Sequence, residues 1–413
     1  MFVLLKEFIE DIRLQKTRAF LTTIAIAWGT VTLVILMAFG SGLSFRMREG
    51  LLNAGDRIIV VYGGQTTKEY QGLPVGRRIR LTEYDCEILR GSLSMIEGIS
   101  PVMGHWSTRL QNGDRSALTY MEGVYPSFEF LRRMYPTAGG RFLNENDLAE
   151  RKRVVFLGSE IAKELFGKEK PIGKKVSIDG IPFTVVGSLP KKMQTSMNNG
   201  PDDRRAIIPM STFQSIYGYR YLNQIIVKPV RPEDSKLVVQ EIRRIMGRKY
   251  KFDPTDKNAL SIWDFNEELE ILNKIFLVFN IFLGLIGIMT LVIAGVGVAN
   301  IMYVVVKERT REIGIKRAVG ARKSHIIFQF IFESFLIAFV GGTLGFLIAA
   351  GIVKLLWMFP ADKGAMQFLG RPLMSSAVVA VSVGILGMIG FLAGLFPAKK
   401  AAKVDPVEAL RYE

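Results

Sequence analysis

The sequence of 413 residues is poor in the residue types that many metal sites and disulfide-bonded proteins require. Its single cysteine, Cys86, excludes an intramolecular disulfide. Its two histidines, His105 and His325, are far apart in sequence, and no paired Cys/His spacing typical of a zinc site is present. We therefore expect neither a disulfide framework nor a metal site.

Two motifs that resemble catalytic signatures are incomplete. The segment 167–175, GKEKPIGKK, has five residues between its glycines where a phosphate loop has four, and ends in lysine instead of Ser or Thr. Ser159 in the sequence GSEI lacks the second glycine of a nucleophile elbow. We predict a chain that is not an enzyme and that has no catalytic residue and no cofactor of its own.

Acidic residues are fewer than basic ones, at 38 against 54, so the net charge is +16. A basic chain can bind nucleic acid, but here the charge is dispersed along residues 44–274 without a recognisable DNA- or RNA-binding motif. The densest basic segment is 307–325, with seven Lys/Arg and two Glu. We expect no nucleic-acid partner.

Long apolar runs distinguish this sequence from that of an ordinary soluble protein. Hydrophobic residues make up 49% of the chain, and the mean hydropathy is +0.24. Spanning a bilayer takes about 20 apolar residues in a helix. The sequence predicts four transmembrane helices, at 20–43, 275–306, 326–353 and 373–396, the last closed by Pro397.

The basic residues that flank these runs predict the orientation of the chain. They precede the first run, separate the second from the third and follow the fourth. Residues 1–19 (an amphipathic helix), 307–325 and 397–413 are therefore expected in the cytoplasm, with both termini. The loop 354–372 and the region 44–274 are expected outside. The first run lacks a cleavage site, so we expect it to be retained as a signal anchor.

Residues 44–274 have the pattern of a mixed α+β domain. The strands Lys175–Ile178 and Pro182–Val186, separated by Asp179-Gly180, predict a β-hairpin. Further strands are expected at 58–62, 154–157 and 224–227, and helices at 81–93 (capped by Thr82), 160–166 and 235–246. We predict two lobes, with roughly residues 100–220 inserted between the halves of the other lobe.

Three features concern the apolar runs themselves. Phe265, Leu269, Leu272 and Phe276 form one helical stripe, which predicts a continuous stalk helix into the second run, matched by 44–52 after the first. The pairs Gly341/Gly345 and Gly390/Gly394 have the spacing of close helix packing, within or between subunits. Glu333 in the third run is predicted to pair with a Lys or Arg of 307–325, with ion or substrate handling as the alternative.

Three segments resemble the MacB/FtsX-type ABC transporter permeases. They are Ala299–Arg322 (ANIMYVVVKERTREIGIKRAVGAR), Leu395–Glu413 (LFPAKKAAKVDPVEALRYE) and Val154–Gly187, the last similar to the MacB-type periplasmic core domain. The resemblance implies a dimeric permease whose exterior domain has a porter-like lobe and an inserted lobe. It also implies that 307–322 is a coupling helix seated on an ABC ATPase that binds ATP and Mg.

The apolar and basic residues of this segment fit such a role. Ile313, Ile315, Ala318 and Val319 would supply apolar contacts, and Gly320 can end the helix. The residues expected to couple to the ATPase are Glu308, Arg309, Arg311, Glu312, Ile313, Ile315, Lys316, Arg317, Val319 and Arg322.

The resemblance also gives an expected function. The chain would be the permease of a MacB-like efflux system in the bacterial inner membrane, driven by mechanotransmission and exporting a drug, peptide or lipid-like substrate. Because it begins directly with the helix before the first span, we expect its ATPase to be a separate polypeptide. Expected partners are that ATPase, a second or paralogous permease, a periplasmic adaptor, a TolC-like channel and membrane lipids. The alternatives are a lipoprotein-releasing permease and an FtsX-like subunit that activates a cell-wall hydrolase.

Overall fold

The computed structural model describes residues 16–194, 199–360, 366 and 369–403. Most of the predicted amphipathic helix at 1–19, and residues 404–413 of the tail, lie outside the described residues. The chain divides into two compact units. We call Met1–Arg46 with Asn273–Glu413 the helical unit, and Met47–Leu272 the α+β unit.

The helices of the described residues are α1 (Lys16–Ala54), α2 (Glu83–Ser92), α3 (Phe128–Leu131), α4 (Glu145–Ala149), α5 (Ser159–Phe166), α6 (Met210–Tyr217), α7 (Ser235–Tyr250), α8 (Phe265–Glu308), α9 (Thr310–Ala318), α10 (Lys323–Trp357) and α11 (Ser376–Ala401). The strands are β1 (Ile59–Gly63), β2 (Ile96–Asn112), β3 (Arg115–Val124), β4 (Val154–Leu157), β5 (Lys175–Ile178), β6 (Ile181–Ser188), β7 (Arg205–Pro209), β8 (Gln224–Pro229) and β9 (Leu260–Asp264). Single 3₁₀ turns lie at Asp202–Arg204 and Pro232–Asp234.

The helices α1, α8, α10 and α11 are each long and apolar enough to cross a membrane, as predicted. The prediction that Pro397 closes the last helix is wrong, because α11 continues through Pro397 to Ala401. Pro397 lacks an N–H and so weakens the backbone ladder, yet it is buried, and Ala398 and Ala401 after it have no exposed surface. Packing of this last turn therefore outweighs the missing hydrogen bond.

Close helix packing depends on the predicted glycine pairs, and both pairs pack within this chain. A Cβ on Gly345 would lie 2.4 Å from the carbonyl oxygen of Ala27 in α1. A Cβ on Gly394 would lie 2.7 Å from Oγ of Ser334 in α10. Only glycine permits these approaches, so the pairs set the α1–α10 and α10–α11 spacing.

The strands of the α+β unit join in one sheet with the order β3-β7-β4-β6-β5-β2-β8-β1-β9. Strand β3 also pairs with β2, so β2, β3, β7, β4, β6 and β5 form a closed ring of six strands. The first half of β2 instead pairs with β8, which continues to β1 and β9. The inserted segment thus builds the ring and the flanking segments build the open part, and the long strand β2 belongs to both.

Local signals in this unit are confirmed. The β5–β6 hairpin turns at Asp179 and Gly180, which both have positive φ (46° and 85°), the conformation of a type I′ turn. Helix α2 begins after Thr82, whose backbone N–H donates to the Asp85 carboxylate in a capping box.

The predicted continuous helices are also present. Helix α8 is unbroken from Phe265 to Glu308, and α1 continues through 44–52 to Ala54. In the α+β unit, the end of α1 and the start of α8 belong to one hydrophobic cluster, which includes Leu51, Ala54, Phe265, Leu269 and Leu272. Phe276, the fourth residue of the stripe, is half-buried within the helical unit.

Candidate functional site

The segment between α8 and α10 forms a separate short helix, α9. Arg309 has a non-helical backbone conformation (φ −92°, ψ 13°) and separates helix α8 from helix α9. At the other end Gly320 has a φ of +103°, and its N–H donates to the Arg317 carbonyl at 3.1 Å. The N–H of Ala321 donates to the Lys316 carbonyl at 3.0 Å, which completes a Schellman motif. Gly320 therefore ends the helix, as predicted.

One side of α9 is buried in the helical unit. Ile313 is only 4% exposed and belongs to a hydrophobic cluster. That cluster also contains Met302, Val306, Ile326, Phe330, Ala398 and Ala401. The sequence placed Ile313 among the residues that contact the ATPase. Its burial assigns it instead to anchoring α9, because a side chain enclosed by its own chain has no surface to offer a partner.

Glu333 provides a polar anchor for the same segment. Its Oε1 accepts hydrogen bonds from Nη1 of Arg309 at 3.3 Å and from Nε2 of Gln329 at 3.2 Å. The Glu333 side chain is 7% exposed, so this pairing offsets the cost of a buried carboxylate. The expected ion pair is thus present, and it favours the structural interpretation of Glu333. The signal for Gln329, which sequence reasoning missed, is its position one helical turn before Glu333.

A second set of contacts holds α9 and α8 against the end of α11. Nη1 of Arg317 donates to the carbonyl of Ala402 at 3.3 Å, directly after α11, where helix carbonyls lack intrahelical partners. Nζ of Lys400 lies 5.4 Å from the centre of the Tyr303 ring in α8. Arg309 and Arg317 are therefore engaged by the helical unit itself.

The opposite side of α9 is open. Val319 is 85% exposed and Ile315 is 46% exposed. Arg311 and Ala318 are exposed with them, and these four positions repeat at three- and four-residue spacing. Arg322, beyond the end of α9, is also exposed. We call Arg311, Ile315, Ala318, Val319 and Arg322 the exposed face of α9. It presents apolar side chains between two arginines, a composition typical of protein interfaces.

The remaining predicted residues lie beside this face. Glu308 and Glu312 are exposed. Nζ of Lys316, which is half-buried, pairs with Oε1 of Glu312 at 2.9 Å, one turn apart. The predicted set thus separates into an anchoring side and a side available to a partner.

Two family models match the chain. Residues 19–245 match the MacB-like periplasmic core domain, and residues 284–406 match the FtsX-like permease C-terminal domain. The chain belongs to the MacB/FtsX-like family of ABC transporter permeases. With its four membrane-crossing helices, it is a membrane permease with an extracytoplasmic α+β domain.

Named relatives agree with this family. The chain is 33% identical to the macrolide export ATP-binding/permease protein MacB of Chlorobaculum tepidum, over 98% of this chain and 60% of that protein. It is 28% identical to the ABC transporter permease YknZ of Bacillus subtilis, over 97% of this chain and 96% of that protein. The chain thus spans about 60% of the length of its MacB relatives.

One solved structure gives a further comparison. The periplasmic region of MacB from Actinobacillus actinomycetemcomitans aligns with 55% of this chain and 96% of its own, at 20% identity and a TM-score of 0.43.

Proposed function

We propose that the chain couples an ABC ATPase to export, and that the exposed face of α9 is the surface on which the ATPase docks. The observation that carries this proposal is the two-sided construction of α9. One side is fixed by Ile313, by the Arg309–Glu333 pair and by Arg317, whereas the other side exposes Val319 and its neighbours. A helix fixed on one side transfers a push on its free side to the helices that hold it.

The proposed route of that movement is through continuous helices. Helix α9 follows α8 directly, and α8 is unbroken back to Phe265. Helix α1 is likewise unbroken to Ala54. The start of α8 and the end of α1 share one hydrophobic cluster of the α+β unit, so displacement of either helix would act on the same core. This supports mechanotransmission, in which substrate need not pass between the membrane helices.

The proposal includes the setting of the protein. We place α9 and both termini in the cytoplasm, because the basic residues concentrate there. We propose a dimer with a second permease, and an adaptor and a TolC-like channel as further partners. The MacB relatives are named for macrolide export, which supports a drug, peptide or lipid-like substrate.

The test replaces two residues of the exposed face. Arg311→Glu with Val319→Asp should lower ATP-dependent transport, and the retention of the ATPase during purification, by more than tenfold. Thermal stability should not change, because both side chains are exposed. Lys354→Glu, an exposed charge near the end of α10, is the matched control and should leave transport intact. Unchanged transport in the double variant would refute the docking surface.

Depletion of the protein in cells distinguishes export from the other functions of the family. Loss of resistance to an exported compound supports efflux. Accumulation of lipoproteins in the inner membrane would instead indicate lipoprotein release. Loss of cell-wall hydrolase activity without any transport defect would indicate signalling.

A further inference from the structure

Four ionisable side chains are buried in the α+β unit: Glu122, Arg132, Asp202 and Arg205. A fifth, Lys192, pairs with them and has 11% of its side chain exposed. Nη2 of Arg132 lies 2.8 Å from Oδ1 of Asp202, and neither side chain has exposed surface. Nη1 of Arg205 lies 2.7 Å from Oε1 of Glu122, and its Nε is 3.2 Å from Oδ1 of Asp202. The cluster thus brings three cations and two carboxylates together within the α+β unit.

Lys192 connects this cluster to the end of helix α1. Its Nζ lies 2.8 Å from Oδ2 of Asp202 and donates to the carbonyl of Asn53 at 2.9 Å and of Arg132 at 3.1 Å. Asn53 is in the last turn of α1, where carbonyls lack intrahelical partners and attract cations. Nδ2 of Asn53 also donates to the carbonyl of Met193 at 3.0 Å.

The other side of the cluster is built into the ring of six strands. Glu122 lies on β3 and Arg205 begins β7, and these two strands pair in parallel. Asp202 is in the 3₁₀ turn directly before β7. The chain of contacts therefore runs from the last turn of α1 through Lys192 and Asp202 to Arg205 and the ring.

The charges make this link sensitive to the loss of one member. Burial raises the pKa of Asp202, but the opposite effect of Arg132, Lys192 and Arg205 is larger. The pKa is therefore below its ordinary value, and the carboxyl stays ionised. Burial lowers the pKa of Lys192, and Asp202 opposes that effect. Well-packed apolar residues often stabilise a protein as well as buried ion pairs do. A role in fixing the position of the segments that the cluster joins would account for buried charges at this place.

We propose that Lys192 is a positioning residue, which couples the end of α1 to the ring of six strands through Asp202. The inference rests on the proposed function, in that the movement passed on would come from the ATPase through α1. The apolar contacts of Leu51 and Ala54 are not directional. The hydrogen bond from Lys192 to the Asn53 carbonyl and its ion pair with Asp202 join the last turn of α1 to the ring at defined positions.

The first test uses hydrogen–deuterium exchange of the full chain in detergent, without ATP. No described hydrogen bond or ion pair joins Asp202 to α1 directly, so the inference predicts that the effect of Asp202 on α1 passes through Lys192. We expect Lys192→Met and Asp202→Asn each to raise exchange at residues 47–54 by more than tenfold, with no further rise when the two are combined. Unchanged exchange at 47–54 in Asp202→Asn would overturn the link. If that variant does not fold, the combined variant, which removes one cation and one anion together, must still match Lys192→Met.

The second test adds the ATPase and a non-hydrolysable ATP analogue. In the unmodified protein, exchange should change at both 47–54 and 202–209. In Lys192→Met it should change at 47–54 only. The control Lys174→Met, which breaks an exposed ion pair with Glu169, should behave like the unmodified protein. A change at 202–209 that persists in Lys192→Met would overturn this inference. No change at either segment in the unmodified protein would instead overturn the proposed function and the role built on it.

Discussion

The two charged regions of this permease differ in what surrounds them. In the α+β unit, Arg132 and Asp202 are paired with no exposed surface. On α9, the side chains of Lys316 and Glu312 are paired while 35% and 52% exposed. The first arrangement fixes parts of the chain relative to one another, and the second leaves charge available to a partner. Burial, more than the presence of an ion pair, therefore indicates which of these tasks a charged group performs.

The largest effect on stability is expected in the buried cluster. Asp202→Ala leaves Arg132 and Lys192 without their shared carboxylate, which should lower the free energy of unfolding by about 3–5 kcal/mol. Denaturation of the full chain in detergent, followed by tryptophan fluorescence, measures this loss. Glu169→Ala, which removes an exposed partner of Lys174, should lower the free energy of unfolding far less, because solvent screens this pair. Equal losses in the two variants would contradict the contrast between the regions.

Lowering the pH should reduce the difference in the free energy of unfolding between the unmodified protein and Asp202→Asn. The pKa of Asp202 is lowered in the folded state, so its contribution is fully present above the ordinary aspartate value of about 3.9. That contribution is lost as the pH falls through the folded-state value. Unfolding measured between pH 7 and pH 3 should therefore show the two proteins converging only below about pH 4. Convergence near pH 6 would show that another group carries the effect.

An intermediate effect on stability is expected at Glu333. Its side chain is 7% exposed, more than those of the Arg132–Asp202 pair and less than those of the Lys316–Glu312 pair. Glu333→Gln keeps the shape but weakens the bond to Arg309, at an expected cost of about 1–3 kcal/mol. Because that bond holds the start of α9, the ATPase should also be stimulated less strongly by substrate. Thermal unfolding and ATPase assays measure the two effects. Glu312→Gln on the exposed side is the control, with no expected change in thermal stability.

A smaller effect is expected at the end of α9. Gly320→Ala places a Cβ at a φ of +103°, which should cost about 1 kcal/mol and loosen the exposed face. Gly351→Ala in α10 is the comparison, since a Cβ there meets nothing within 4 Å and its φ is ordinary for a helix. Thermal unfolding should distinguish the two. A loss at Gly351 as large as that at Gly320 would contradict the backbone explanation.

The smallest effect is expected for the exposed pair on α9. Lys316→Ala removes its ion pair with Glu312 and should change stability by no more than about 0.5 kcal/mol. Increasing the salt concentration should erase even this difference, because exposed charges are screened. A loss of more than 2 kcal/mol would mean that Lys316 belongs with the anchoring residues.

Much of the fold follows from local patterns that the sequence displays. Apolar runs predict the membrane helices, the Asp179-Gly180 pair predicts the hairpin, and the stripe from Phe265 to Leu272 predicts the start of α8. Each of these depends on neighbours within a few residues along the chain. The predicted end of α11 at Pro397 is wrong because the prediction considers only the backbone hydrogen bond that proline cannot make. The burial of Ala398 and Ala401, which extends the helix, depends on tertiary packing.

Features that join segments distant in the chain could not be predicted from the sequence. Closure of the strand ring depends on β2 pairing with both β3 and β5. The buried cluster brings Glu122 and Asp202 together across some 80 residues, and each alone reads as a surface carboxylate. On α9, the sequence predicts apolar contacts from both Ile313 and Val319, because burial by the protein's own helices depends on tertiary packing.

Photocrosslinking from α9 tests the central claim most directly. A benzoylphenylalanine at Val319, on the exposed face, should crosslink to the ABC ATPase in the assembled transporter. The same probe at Lys354, exposed near the far end of α10, should not. A strong Val319 crosslink that is absent at Lys354 is the result we predict. Equal labelling at both positions, or none at Val319 in an active transporter, would contradict the docking surface.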